Sequence, residues 1–349
     1  MQFMQFIKPD INIDFIGKRK IAYSLSGALL LITIVSLIIN SGPKYGVDFA
    51  GGTVIQIKFN DPVTIDNIKK GLNAVGVKSS SVQTFGENKE NEYLIHTDSV
   101  LTEDQAFSSK LQTELKSVTG KESEIRRIET VGPQVGKDLR EKAVFAIFYS
   151  MLFITIYISG RFELKWLLSG IIAGILSAAV YLFSLLNVGM LALTGIALLV
   201  ACILFWFLKL RYAMGAIVAL IHDVGITMGI FSVLGKEISL PIIAALLTII
   251  GYSLNDTIIV YDRIRENLKK YNKNPLYVTV NRSVNETLSR TILTSGTTLI
   301  AVLSLLILGG GIIHDFAFAM TIGIVVGTYS SIYVASPILI EWDEHDKRK

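Results

Sequence analysis

Long apolar runs alternate with polar stretches along the chain, and the runs have the length of membrane spans. The first, Ile21–Ile39, follows Lys18, Arg19 and Lys20 and ends in Asn40-Ser41-Gly42-Pro43. It is longer than the apolar core of a cleavable signal and lacks an A-x-A-like site, so it reads as a retained signal anchor. Further runs cover Ala143–Ser159, Trp166–Leu186, Val188–Leu208, Tyr212–Leu234, Leu240–Tyr261, Thr291–Leu308 and Ile313–Ile340. At roughly 20 apolar residues per crossing, the pattern predicts a polytopic α-helical membrane protein with about eight spans.

The one long polar segment, Ser41 to Lys142, switches period. Thr53–Phe59 alternates as a strand does, and Asp61-Pro62 stops it. Ile65, Ile68, Leu72 and Val75 repeat at helical spacing within Val63–Val75. Ser81–Phe85 and Tyr93–His96 are short strands about a polar turn, Gly86–Asn91. Thr102 caps a second helix running to Val118, and Glu124–Val131 is a last strand. The order β-α-β-β-α-β is that of a ferredoxin-like α+β domain. It carries no metal, nucleophile or phosphate motif and reads as a docking domain.

Composition supports this division. Of 349 residues, 51% are hydrophobic and 18% charged, and the mean hydropathy of +0.52 excludes an ordinary soluble domain. A net charge of +4, with its cations dispersed, gives no case for nucleic acid. The single Cys202 lies in an apolar run and forms no intrachain disulfide. Arg161, Lys165, Lys209, Arg211, the basic loop Arg263–Arg290 and Lys347-Arg348-Lys349 fall on one side. The opposite loops, near Asn187 and Gly309–Ile312, lack Lys and Arg, with Lys236 the exception. The positive-inside rule then puts both termini in the cytoplasm and the α+β domain outside. The expected division is 1–20 cytoplasmic N-terminus, 21–40 first span, 41–140 outer domain, 141–340 membrane bundle and 341–349 cytoplasmic tail. Leu164–Ala173 echoes Leu210–Ala219, as if a helical hairpin at about 166–208 had been added by local duplication.

The chemistry concentrates at Asp256. With Asn255, it lies inside the run Leu240–Tyr261, ahead of Arg263 and Arg265. A charge at mid-membrane costs roughly 3 kcal/mol on insertion scales, so such a residue faces a bundle interior, a partner cation or water. Thr248, Tyr252, Asn255 and Asp256 form one polar stripe at helical spacing, and Arg290, Thr294, Thr297, Ala301 and Ser304 another on the next span. A carboxylate that alternately pairs with Arg290 and takes a proton would be a proton relay; a static ion pair, or an arginine reaching the cytoplasmic surface, is the bland alternative. His222-Asp223, in the middle of Tyr212–Leu234, either exchanges protons with a wet cavity or fixes packing. Gly225-x-x-x-Gly229 and Gly323-x-x-x-Gly327 let helices approach closely. His314-Asp315, at the outer mouth of the last span, either collects protons or is a solvated turn and helix cap, and His96 and His345 are ordinary surface or strand histidines. No Walker A loop, zinc pattern or nucleophile elbow is present, so neither an enzyme nor a cofactor is expected, and work must draw on an ion gradient or a partner.

Several stretches resemble the SecF family of protein-export membrane subunits, in the RND superfamily. They are Gly46-Val-Asp-Phe-Ala-Gly-Gly-Thr53, through Gly46, Asp48, Phe49, Gly51 and Gly52; Ala219-Leu-Ile-His-Asp-Val224; Gly251-Tyr-Ser-Leu-Asn-Asp-Thr257, running into Tyr261–Asn267; and Asn285–Thr291. The resemblance implies a SecDF-like bundle in the bacterial inner (cytoplasmic) membrane. It implies a separate SecD partner, contact with SecYEG, SecA and secreted preproteins, and YajC as a further candidate partner. In that setting Asp256 would be the proton-responsive carboxylate and Arg290 its partner, drawing on the proton motive force. The segment after Arg161-Phe-Glu163 departs from the six-span family pattern by two apolar runs. An RND-type exporter half for a lipid or small molecule, and a non-conducting scaffold subunit, are the alternative readings.

Overall fold

A computed structural model describes residues 11–77, 80–85, 91–101, 105–184 and 190–347. The expected cap at Thr102, most of the turn Gly86–Asn91, the loop near Asn187, and Arg348 and Lys349 lie outside these residues. The chain begins with α1 (Arg19–Ile39) and a short helical turn, α2 (Val47–Ala50). Gly51 and Gly52 then take φ of +80° and +110°, turning the chain into the sheet. Only glycine fits there: a Cβ on Gly52 would lie 2.3 Å from the Thr97 carbonyl oxygen, and one on Gly51 2.9 Å from Pro133 Cα.

The polar segment forms β1 (Gly52–Phe59), α3 (Ile65–Ala74), β2 (Ser80–Phe85), β3 (Glu92–Thr97), α4 (Gln105–Thr119) and β4 (Ser123–Val131). The sheet order is β2-β3-β1-β4 with every pair antiparallel, and Ile55 lies opposite both Ile95 and Ile128. Alternation decides the faces. Ile55, Ile57 and Phe59 turn to a core shared with Ile68, Leu72 and Leu111. The opposite face presents Gln56, Leu94, His96, Arg127 and Glu129 to a cleft of about 840 Å³, whose far wall includes 234–242 at the end of the bundle.

The bundle comprises α5 (Pro133–Ile158), α6 (Trp166–Ser184), α7 (Met190–Phe207), α8 (Arg211–Val233), α9 (Leu240–Lys270), α10 (Leu276–Leu308), α11 (Gly310–Ser330) and α12 (Ser336–Lys347). π-Helical turns follow α5 (Ser159–Glu163) and α11 (Ser331–Ala335). Among the described residues six helices are long and apolar enough to cross a membrane; the apolar stretches of α6 and α7, Trp166–Leu182 and Ala192–Phe207, are shorter. The helices α5, α9 and α10 outrun their apolar stretches, because hydropathy marks only the part that lies in lipid. The hairpin α6–α7 packs on α5 and α8 through Phe148, Ala173, Ala201 and Ile217, and the ring centres of Trp206 and Trp342 are 4.4 Å apart.

The glycine pairs mark close helix crossings. A Cβ on Gly229 would lie 1.8 Å from Thr33 Oγ1, where α8 meets α1; one on Gly323 would lie 2.2 Å from Ile249 Cγ1, where α11 meets α9. At one end of the bundle Arg19 bonds Glu341 and Glu344, Arg161 bonds Asp262, and Arg263 bonds Glu286. The segment before α1 is held there too: Asn281 Oδ1 accepts from the Phe15 amide and Asn285 Oδ1 from the Ile13 amide.

Candidate functional site

Asp256 lies inside the bundle, only 2% exposed. It shares the inner face of α9 with Ser253, three positions before it. Its Oδ2 accepts from Ser295 Oγ of α10 at 3.2 Å, and Thr328 Oγ1 of α11 lies 2.8 Å beyond, donating to Ser295. Ser295 was not singled out from the sequence. Its signal is the spacing Thr287, Thr291, Ser295 on α10, all buried.

The two predicted stripes divide differently. Thr248 and Asn255 are exposed on α9, and Arg290, Thr297, Ala301 and Ser304 are exposed on α10, with Thr294 half-buried. Asn255 therefore does not join Asp256: successive residues of a helix are turned by about 100°. Arg290 likewise makes no ion pair within 4.0 Å among the described residues. It stands five positions from Ser295 on α10, on the other side of the helix, so in this conformation Ser295, not Arg290, meets the carboxylate.

His222 and Asp223 are both buried, at 3% and 0% exposure. Their side chains close a network across the bundle. His222 Nδ1 is 2.9 Å from Asp223 Oδ1, and His222 Nε2 is 3.0 Å from Ser26 Oγ of α1. Asp223 Oδ2 accepts from Ser253 Oγ at 2.5 Å and from Ser330 Oγ at 2.8 Å. One carboxylate thus ties α8 to α9 and α11, and the imidazole extends the tie to α1. The sequence shows the His-Asp pair but not Ser26, Ser253 and Ser330, which sit on separate helices.

The Gly46–Gly52 segment lies at the far end of the bundle. Phe49 is buried among Ile238, Ile242 and Ala143, and Asp48 meets the start of α9. There the first turns of α11, rather than a turn, carry His314, which is exposed, and Asp315, which is half-buried and whose Oδ1 accepts from Lys236 Nζ at 2.5 Å. Among the described residues no group of His, Cys, Asp and Glu is placed to hold a metal ion.

Six helices long and apolar enough to cross a membrane, a carboxylate closed into the bundle they form and a small α/β domain at one end define a multi-pass membrane protein. The family model described as "Protein export membrane protein SecD/SecF, C-terminal" matches residues 110–188 and 182–345, and the "SecD/SecF GG Motif" model matches residues 36–63. The chain belongs to the SecF family of protein translocase subunits. The protein translocase subunit SecF of Magnetococcus marinus is 40% identical over 350 residues, covering 99% of this chain and 97% of that protein. That of Desulfurispirillum indicum is 40% identical over 336 residues, covering 95% and 91%. A crystal structure of SecDF, a translocon-associated membrane protein from Thermus thermophilus, superposes with a TM-score of 0.70 at 31% identity. It covers 97% of this chain, which spans 40% of the length of that one.

Proposed function

We propose that this chain is the SecF half of a SecDF complex that uses the proton motive force to help preproteins across a bacterial cytoplasmic membrane, after SecA and the SecYEG channel have begun their transfer. The observation that carries the reading is Asp256: a carboxylate inside the bundle, held by one hydroxyl donor at 3.2 Å. A proton moving down 100 mV supplies about 2.3 kcal/mol, and a buried carboxylate that gains and loses its charge can spend that on helix movement. Arg290 enters the cycle when α10 rotates to bring it toward Asp256, so the present conformation is one arm of the alternation. Asp256 and Arg290 are the relay, and Asn255 faces a partner. His222 and Asp223, bonded on all sides, serve the relay by holding its helices.

SecD is the partner the surface calls for. Asn255 is exposed on an apolar helix with no hydrogen-bond partner among the described residues, and Arg290 is exposed on the neighbouring one. Amide and guanidinium groups on a lipid-facing surface are costly, and a second subunit seated on α9 and α10 covers both. With α6 and α7 crossing as a short hairpin, the chain has eight spans. Its sheet order is the ferredoxin-like one. The basic end carrying Arg161, Arg263 and both termini faces the cytoplasm.

The test is Asp256→Asn in vesicles containing the chain with its SecD partner and the translocation channel. Export that depends on the proton gradient is expected to fall by at least about tenfold, a change of about 1.4 kcal/mol or more, while the protein still assembles. Unchanged gradient-dependent export would sink the relay and leave a scaffold role.

A further inference from the structure

The helix that carries Asp256 starts at a joint with the outer domain. The first amides of any α-helix lack intrahelical acceptors. Ser239 occupies the capping position of α9, yet its side chain makes no capping hydrogen bond. The acceptor comes from far away in sequence: the Leu240 amide donates to Asp48 Oδ2 at 2.9 Å. A carboxylate there also complements the positive end of the helix dipole.

Backbone pairing reinforces this cap. The Gly46 amide donates to the Ile238 carbonyl at 2.9 Å, and the Ile238 amide to the Lys44 carbonyl at 2.7 Å, forming a single parallel bridge at Tyr45 and Ile238. Phe49, one residue beyond Asp48, is 3% exposed in the bundle core beside Ile238 and Ile242. Lys44 Nζ lies 3.1 Å and His96 Nδ1 3.4 Å from the Glu237 carboxylate. Residues 44–49 thus grip 237–242 by a cap, a backbone bridge and an apolar plug. The same segment leads through Gly51 and Gly52 directly into β1. From Leu240, α9 runs unbroken to Asp256 and beyond, a distance of about 24 Å at 1.5 Å per residue.

We infer that Asp48 is a positioning residue: it fastens the start of α9 to the outer domain, so that the two move as one body when the helix shifts at Asp256. The inference rests on the relay reading of Asp256 and adds the part that transmits its movement. Asp48 touches neither proton nor preprotein; it acts through α9.

The structure supplies a test. Gly46 has φ −72° and ψ 175°, open to any residue, and a Cβ built there would lie 3.5 Å from Ser239 Cβ, within the range of a disulfide. Gradient-driven export is measured in vesicles holding the full chain, with Cys202→Ser, its SecD partner and the translocation channel. Asp48→Ala is expected to lower export about fivefold, the scale of one lost N-cap. Asp48→Asn, which keeps an acceptor oxygen, is expected to lower it by less than twofold. Adding Gly46→Cys and Ser239→Cys to Asp48→Ala is expected to restore export when the pair is oxidised and to lose it again on reduction. The inference is overturned by normal export in Asp48→Ala, by equal defects in the Asn and Ala variants, or by an oxidised triple variant no better than the reduced one. Asp256→Asn is run alongside. Normal export there removes the relay whatever the cysteines do, whereas a defect there with no redox rescue removes the joint alone.

Discussion

Two carboxylates lie buried against α9, and they are held in opposite ways. Asp223 is closed in by His222, Ser253 and Ser330, with contacts to both its oxygens. Asp256 has Ser295 on one oxygen at 3.2 Å, and its other oxygen accepts from no protein donor among the described residues. A buried carboxylate with both oxygens engaged by three partners is a brace, because moving any partner disturbs the rest. A buried carboxylate with an oxygen to spare can take up a proton without breaking a network. The difference separates two residues that look alike as charges in apolar runs.

The sharpest way to break this comparison is to delete each carboxylate. Asp223→Ala leaves His222 and the serine hydroxyls facing a void, and should cost about 3–5 kcal/mol of stability. Asp256→Ala strands a single hydroxyl and should cost less, about 1 kcal/mol, at the low end of the penalty for one unpaired buried donor. Thermal unfolding of the purified protein in detergent reads both. Equal losses would erase the distinction drawn between brace and relay.

Helix spacing around the brace gives the next effect. A methyl at Gly323 would be forced against Ile249, 2.2 Å away, whereas one at Gly225 meets only Leu30 Cδ2 at 3.4 Å. Gly323→Ala should therefore destabilise by about 1–3 kcal/mol, the usual range for overpacking, and Gly225→Ala by much less. Melting temperatures of the two variants, compared side by side, check the order. Gly327 is the informative middle case. Its missing Cβ would lie 3.0 Å from Ser253 Cβ, so Gly327→Ala should also disturb the Ser253 bond to Asp223.

These contrasts also show where reading the chain succeeds and where it stops. Period alone locates the strands: Thr53–Phe59 alternates and becomes β1, and Ile65, Ile68 and Leu72 repeat at helical spacing and become the inner side of α3. Asp256 stands out because lipid tolerates no lone charge, and it is buried. Which side of a helix faces inward is another matter. On α10 both Arg290-Thr294-Thr297-Ser304 and Thr287-Thr291-Ser295 are polar and helically spaced, and only packing against α9 and α11 selects the second. The same holds for Thr248 and Asn255, which belong to the outer face. Ser26, Ser253 and Ser330 are unremarkable serines until four helices bring them to one His-Asp pair. Arg290 and Asp256 have compatible depths but not a common face, and depth was all that spacing could supply.

The smallest expected effect lies at the joint, outside the membrane. Burial holds His96 below the ordinary histidine value; the Glu237 carboxylate pulls the other way and Lys44 adds to the lowering. The sign follows from proton counting. Between the folded value and the unfolded one near 6.5, the unfolded chain binds a proton that the folded protein does not, so stability rises with pH across that window. The contribution is intact above about pH 6.5 and is lost as pH falls toward the folded value. The outer domain should thus melt at a lower temperature at pH 5.5 than at pH 7.5, and His96→Gln should flatten that slope. The rest of the protein contributes equally to both proteins, so the difference between the wild-type and His96→Gln slopes is the quantity that counts. Identical slopes would mean that solvent, not Glu237 and the sheet, sets the charge of His96, and that this contact adds nothing to the grip between the sheet and the start of α9.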